Sequence, residues 1–154
     1  MIAFTFLLAL EVVGLPTLPP GWNHDYDLAL QQASAAKKPL AVFIGTGKDG
    51  WKAVSAEGDL GPEVRRLLAD HYVCAYVDAS RLFHQELVQS FKADRQPLLV
   101  LSTRDRSYQA YRHAGAQANA NLAQALQRYA LEEPVSPPAP TRAAAVVYEA
   151  PCRT

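Results

Sequence analysis

Cysteine is scarce: the 154-residue chain holds Cys74 and Cys152 and no others. Two thiols so far apart supply neither a disulfide framework nor a zinc site, which need several bridges or clustered ligands. A bridge between them is open on paper, but Cys74 lies in a strand-like run and Cys152 in a tail, so none is expected. Excess charge is lacking too, since fifteen basic residues face fifteen acidic ones. Nucleic-acid binders show a basic excess or stripe, so no nucleic-acid partner is expected, and attachment to anionic lipid has no electrostatic basis. Long apolar runs are also missing. Ile2 to Leu10 is broken by Glu11 and is too short to cross a bilayer, so no stable membrane span is expected. His24, His71, His84 and His113 are scattered, with no His-x-x-x-His spacing. The pattern calls for no metal and no cofactor.

Nearly half of the residues are apolar, enough for one domain with a real core. Proline marks its limits. Of eleven prolines only Pro39, Pro62 and Pro97 fall within residues 21–133. The others cluster at Pro16, Pro19 and Pro20 and from Pro134 onward, where a residue without an amide donor reads as linker. Residues 1–20 read either as the apolar core of a secretory signal or as an apolar first strand. The signal reading puts the protein in a secreted or periplasmic setting; a cytoplasmic one stays open. Residues 134–154 form a Pro- and Ala-rich tail, expected to be disordered, with Ala143 to Tyr148 as an apolar patch that could dock on the domain or on a partner.

Inside 21–133 the periodicities alternate. Tyr26, Leu30 and Ala33 have helical spacing, and Lys37, Lys38 and Pro39 end that helix. Leu40 to Ile44 is a continuous apolar run, as expected of a strand buried on both faces. Gly61-Pro62-Glu63 opens a second helix with Val64, Leu67 and Leu68 inward. Tyr72 to Val77 is strand-like. Phe83, Leu87, Val88 and Phe91 make the stripe of a third helix, and Leu98 to Leu101 is another apolar strand. After a turn, Tyr108 to His113 is a strand of mixed polarity broken by Gly115. Asn119 or Asn121 caps a last helix bearing Leu122, Ala125, Leu126 and Tyr129. The order predicts an α/β fold with a mixed central sheet and an antiparallel closing pair.

This order is similar to the thioredoxin fold, and particular residues carry the resemblance over about residues 22–131. Trp22 precedes a helix of the form Tyr26-x-x-Ala29-Leu30-x-x-Ala33, and Lys38-Pro39 leads into an apolar strand. Asp78 ends the Val73 to Val77 strand. Gln96-Pro97 stands where thioredoxins carry a cis-proline, and Gly115 precedes the last helix. The resemblance implies three layers, with helices on both faces of the sheet. It also implies a Cys-x-x-Cys motif after the first central strand, and there the sequence departs: Gly45-Thr46-Gly47-Lys48-Asp49-Gly50-Trp51-Lys52 has no thiol, nor has any residue through Gly61. Disulfide exchange needs an attacking thiolate and a resolving thiol, and a hydroxyl replaces neither. Dithiol oxidoreductase activity is therefore not expected.

In thioredoxins this face takes extended polypeptide, so a face without thiols points to protein or peptide binding. The expected contacts are Gly47, Lys48, Asp49, Trp51, Gln96 and Pro97. Trp51 is either an exposed anchor or a cover for the sheet edge. The glycine-rich loop is not a phosphate loop, because the Gly-x-x-x-x-Gly-Lys-Ser/Thr spacing fails. Asp25, Asp27, Glu57 and Asp59 read as helix-start and loop charges. Two alternatives stand beside peptide binding: an enzyme with non-dithiol chemistry at a lone Cys74, which otherwise reads as a small buried hydrophobe, and a structural domain whose C-terminal tail docks a partner.

Overall fold

The computed structural model describes residues 18–106 and 109–131. The apolar N-terminal run and the proline-rich tail lie outside them, so the signal, first-strand and tail-docking expectations do too. Among the described residues no helix is long and apolar enough to cross a membrane.

The elements run β1 (Trp22–Asn23), α1 (Tyr26–Ala36), β2 (Leu40–Gly45), a 3-10 turn (Gly50–Val54), α2 (Pro62–His71), β3 (Val73–Asp78), a second 3-10 turn (Leu82–His84), α3 (Gln85–Ser90), β4 (Leu98–Ser102), β5 (Gln109–Ala114) and α4 (Asn119–Leu131). Local chemistry sets the boundaries. Asp25 caps α1, its Oδ1 accepting the Asp27 and Leu28 amides at 2.9 and 3.1 Å. Proline at the first position opens α2. The start of α4 is served from another segment: Glu57 Oε2 accepts the Asn119 amide at 3.0 Å and the Ser55 hydroxyl at 2.9 Å. The Asn119 bond, with help from Ser55, lowers the Glu57 pKa.

The sheet order is β1-β3-β2-β4-β5. The first three strands are parallel, while β4 and β5 run antiparallel to their neighbours. The apolar runs are buried on both faces because helices cover both. Ala41, Phe43, Cys74, Tyr76, Leu99 and Leu101 face α2 and α4, packing on Val64, Leu68, Leu122 and Leu126. Val42, Ile44, Ala75, Val77, Leu98 and Val100 share the other core with Ala29 and Ala33 of α1 and with Phe91. Successive strand residues alternate between the two cores, as the two-residue period of a strand requires. The result is an α/β three-layer fold with a mixed central sheet.

One expected core position is corrected. Phe83 is 72% exposed, not part of an inward stripe. Asp78 accepts the Ser80 amide and hydroxyl and its carbonyl accepts the Arg81 amide, which tightens the chain into the 3-10 turn before α3 begins. Three residues per turn instead of 3.6 shifts the phase, so Leu87, Val88 and Phe91 face inward without Phe83.

Candidate binding site at the carboxyl edge of the sheet

The parallel strands β1, β3 and β2 all end at one edge, and the antiparallel β4 begins there. His24, Asp78, Gly45 and Pro97 thus stand along that edge in the order of the strands that carry them. In open α/β sheets such an edge, at a change of strand direction, is where ligands collect.

The loop after β2 is shaped by glycine. A Cβ on Gly45 would lie 2.6 Å from the Gly50 carbonyl oxygen, and one on Gly50 would lie 2.5 Å from the Tyr76 hydroxyl. Only bare backbone lets the loop fold back so closely. Gly47, with φ of 81°, makes the turn. Its amide donates to Asp78 Oδ1 at 2.9 Å, and its carbonyl accepts a short hydrogen bond from the Tyr76 hydroxyl. Burial, reinforced by the Asp78 charge, pushes the Tyr76 pKa up to about 12, so the phenol stays a donor.

Asp78 is the hub. It sits at 8% exposure. Its Oδ1 takes the Gly47 amide, the Ser80 amide at 3.0 Å and the Ser80 hydroxyl at 2.6 Å, while Oδ2 is 3.6 Å from Arg81 Nε. Burial alone would raise its pKa; the bonds from Ser80 and Gly47 and the Arg81 charge outweigh it and hold the carboxyl below its ordinary value. The His84 Nδ1–H donates to the Asp78 carbonyl at 3.0 Å.

On the β4 side, the Gln96–Pro97 bond is cis and the Pro97 carbonyl accepts the Gly115 amide at 2.7 Å. The Thr46 hydroxyl donates to Gln96 Oε1 at 2.7 Å and so joins the loop to this turn. Gln96 is exposed and Pro97 half-buried. Among the described residues, neither the amide nor the carbonyl of Gln96 has a hydrogen-bond partner.

Of the residues expected at this face, Gly47, Lys48, Asp49, Gln96 and Pro97 do line the edge, with Lys48 and Asp49 exposed. Lys48 borders a cleft of about 60 Å³ shared with His24, Tyr76, Asp78, Arg81 and His84. Trp51 is corrected. It is 2% exposed and covers the sheet: its ring packs at 5.3 Å on Trp22, which in turn lies 4.5 Å from Phe43. The 3-10 turn carries Trp51 and Val54 together into the α2/α4 core, where burying a large ring outweighs leaving it in water. Of the two expected readings, exposed anchor or cover for the sheet, the ring takes the second. Thr46 belongs to the thiol-free loop expected at this face, though no motif marks its bond to Gln96; the sequence did not convey the hub role of Asp78. A lone carboxylate ending an apolar strand and followed by Ser80 and Arg81 is the available signal for the latter.

Cys74 is 3% exposed, and burial pushes its thiol well above the ordinary thiol range. Among the described residues no group of three His, Cys, Asp or Glu side chains converges as a metal site would require.

No protein-family model matches the chain, and no curated protein matches it by sequence. Solved structures do. A thioredoxin from Thermus thermophilus superimposes with a TM-score of 0.59 at 21% identity, covering 71% of this chain and 86% of its own. A DsbH oxidoreductase gives 0.54 at 21% identity, with 75% and 92% covered. The C-terminal domain of DsbD from Neisseria meningitidis, in its oxidised form, gives 0.51 at 14% identity, with 70% and 98% covered. The chain has a thioredoxin-like fold, and it lacks Cys-x-x-Cys in the loop after its first central strand.

Proposed function

We propose that residues 21–133 form a redox-inactive thioredoxin-like domain that binds an extended protein or peptide segment across the carboxyl edge of the sheet. The observation that carries this reading is that Gln96 is an exposed residue whose amide and carbonyl are unpaired among the described residues, beside a loop held by Asp78 and Tyr76. An exposed backbone donor and acceptor can take a strand-like partner through main-chain bonds, independent of the partner's side chains. A fixed loop lowers the ordering cost of doing so. The thiol-free loop leaves recognition as the use of this face, because exchange needs two thiols that it does not hold. The apolar Ile2 to Leu10 run, read as a secretory signal, supports a secreted or periplasmic setting over a cytoplasmic one; the intact mass of protein recovered from its host tests that reading.

The test of binding is a peptide selection on the full-length protein, followed by N-methylation of each backbone amide of a selected peptide in turn. Loss of binding at one or two positions is expected. Peptides that tolerate methylation everywhere would sink main-chain pairing at Gln96. The thiol reading is checked by insulin reduction, where a flat trace is expected and any turnover overturns redox inactivity.

A further inference from the structure

Phe83 and Leu82 stand 72% and 87% exposed in the 3-10 turn that separates β3 from α3. Large adjacent apolar side chains left in water concentrate where partners dock. Phe83 forms one wall of a groove of about 640 Å³ whose other wall is the first turn of α1, with Asp25, Tyr26 and Asp27; Glu86 of α3 also lines it. The groove shares His24, Phe83 and His84 with the small cleft beside Lys48 and Asp78. It is therefore continuous with the face described above, on the β1 side of the loop.

The charge lining this groove has one sign. It carries three carboxylates and no lysine or arginine. Asp25 commits Oδ1 to capping α1. Asp27 and Glu86 are exposed, and among the described residues neither carboxylate has a hydrogen bond or an ion pair. The nearby cation, Arg81, lies 5.7 Å over the Phe83 ring but is directed to Asp78. Its position shows that the ring already accepts a guanidinium on its surface. A groove with aromatic walls and two uncompensated carboxylates complements a side chain with an apolar stem and a cationic head.

We propose that this groove seats a lysine or arginine side chain of the bound segment, its stem against Phe83 and Tyr26 and its head at Asp27 and Glu86. The proposal rests on the reading of the sheet edge as a peptide-binding face, and it names the partner's chemistry: an extended segment bearing a basic residue.

The experiment is selection of random peptides on the full chain, repeated with the Asp27→Asn/Glu86→Gln double variant and with Phe83→Ala. All three substitutions are on exposed side chains, so folding checked by circular dichroism should be retained. Selected peptides are expected to share a lysine or arginine at one position. The double variant should weaken them roughly tenfold and flatten the salt dependence of binding, and Phe83→Ala should weaken them roughly fivefold. Peptides without a basic residue, or peptides bound equally by the double variant, overturn the groove while leaving the face intact. Basic peptides that need Asp27 and Glu86 yet tolerate N-methylation throughout support the groove and overturn main-chain pairing. Failure to select any peptide overturns both.

Discussion

Asp78 at the end of β3 accepts the amide of Gly47, 31 residues earlier in the chain, at 2.9 Å. This bond fixes the loop after β2 against the turn that leads to α3. Hydrogen bonds to a charged acceptor each contribute about 1.5–3 kcal/mol, and Asp78 is nearly buried. Asp78→Ala should cost about 2 kcal/mol or more at neutral pH, measured by urea unfolding. The pH dependence follows from its lowered pKa. A carboxyl that is more acidic folded than unfolded stabilises fully above its unfolded value and loses that contribution as pH falls through the folded value. Wild type should thus lose stability in acid more steeply than the variant. Parallel acid profiles would show that the carboxylate charge is not what holds the loop.

Gly45 has a different role, since its neighbour is backbone. A methyl group there meets the Gly50 carbonyl oxygen at 2.6 Å, and main chain cannot swing aside as a side chain would. Gly45→Ala should destabilise by about 1–3 kcal/mol. Gly21→Ala is the comparison: a Cβ there meets nothing within 4 Å, and its φ of 85° alone should set the cost, at about 1 kcal/mol. Calorimetry that ranks Gly21→Ala as the more damaging would contradict the close approach.

These two residues also show what the sequence could and could not convey. The framework was legible because it is written in periodicity: Leu40 to Ile44 and Leu98 to Leu101 as buried strands, Pro62 as a helix start, Gly115 as a break. Gly45 and Gly50 were visible as glycines, but which atoms they let approach depends on the chain returning past Tyr76. Phe83 marks a failure, and Trp51 a choice between anchor and cover that spacing left open. Phe83 kept helical spacing, yet the Asp78-centred turn changed the local period and put it outside. Trp51 sat among glycines and polar residues, yet the 3-10 turn Gly50–Val54 carried it into the core. Both outcomes follow from 3-10 turns, which composition does not announce.

The buried thiol separates two readings of the protein. Only a thiolate attacks, and burial of Cys74 disfavours that charge. In a chain carrying Cys152→Ser, so that one thiol remains, Cys74 should react with a thiol reagent roughly a thousandfold more slowly than in denaturant, at a rate set by opening of the fold. Rapid labelling of the native protein would restore the lone-thiol enzyme.

Trp51 decides between core and contact. Its indole is buried against Trp22, and among the described residues its Nε1–H has no hydrogen-bond partner. Two effects then oppose each other on substitution. Trp51→Ala removes the ring and leaves a cavity, and should cost about 3–5 kcal/mol. Trp51→Phe gives up some ring area but also removes a buried donor that has no acceptor, so it should stay within about 1 kcal/mol of wild type. A contact residue would behave the other way, with Trp51→Phe impairing partner binding and Trp51→Ala leaving stability intact. Denaturant midpoints read beside the affinity of one selected peptide distinguish the two patterns. The expected result is a large loss of stability in Trp51→Ala and unchanged peptide affinity in Trp51→Phe, because the ring is buried and the proposed peptide contact is made by Gln96 and the loop after β2.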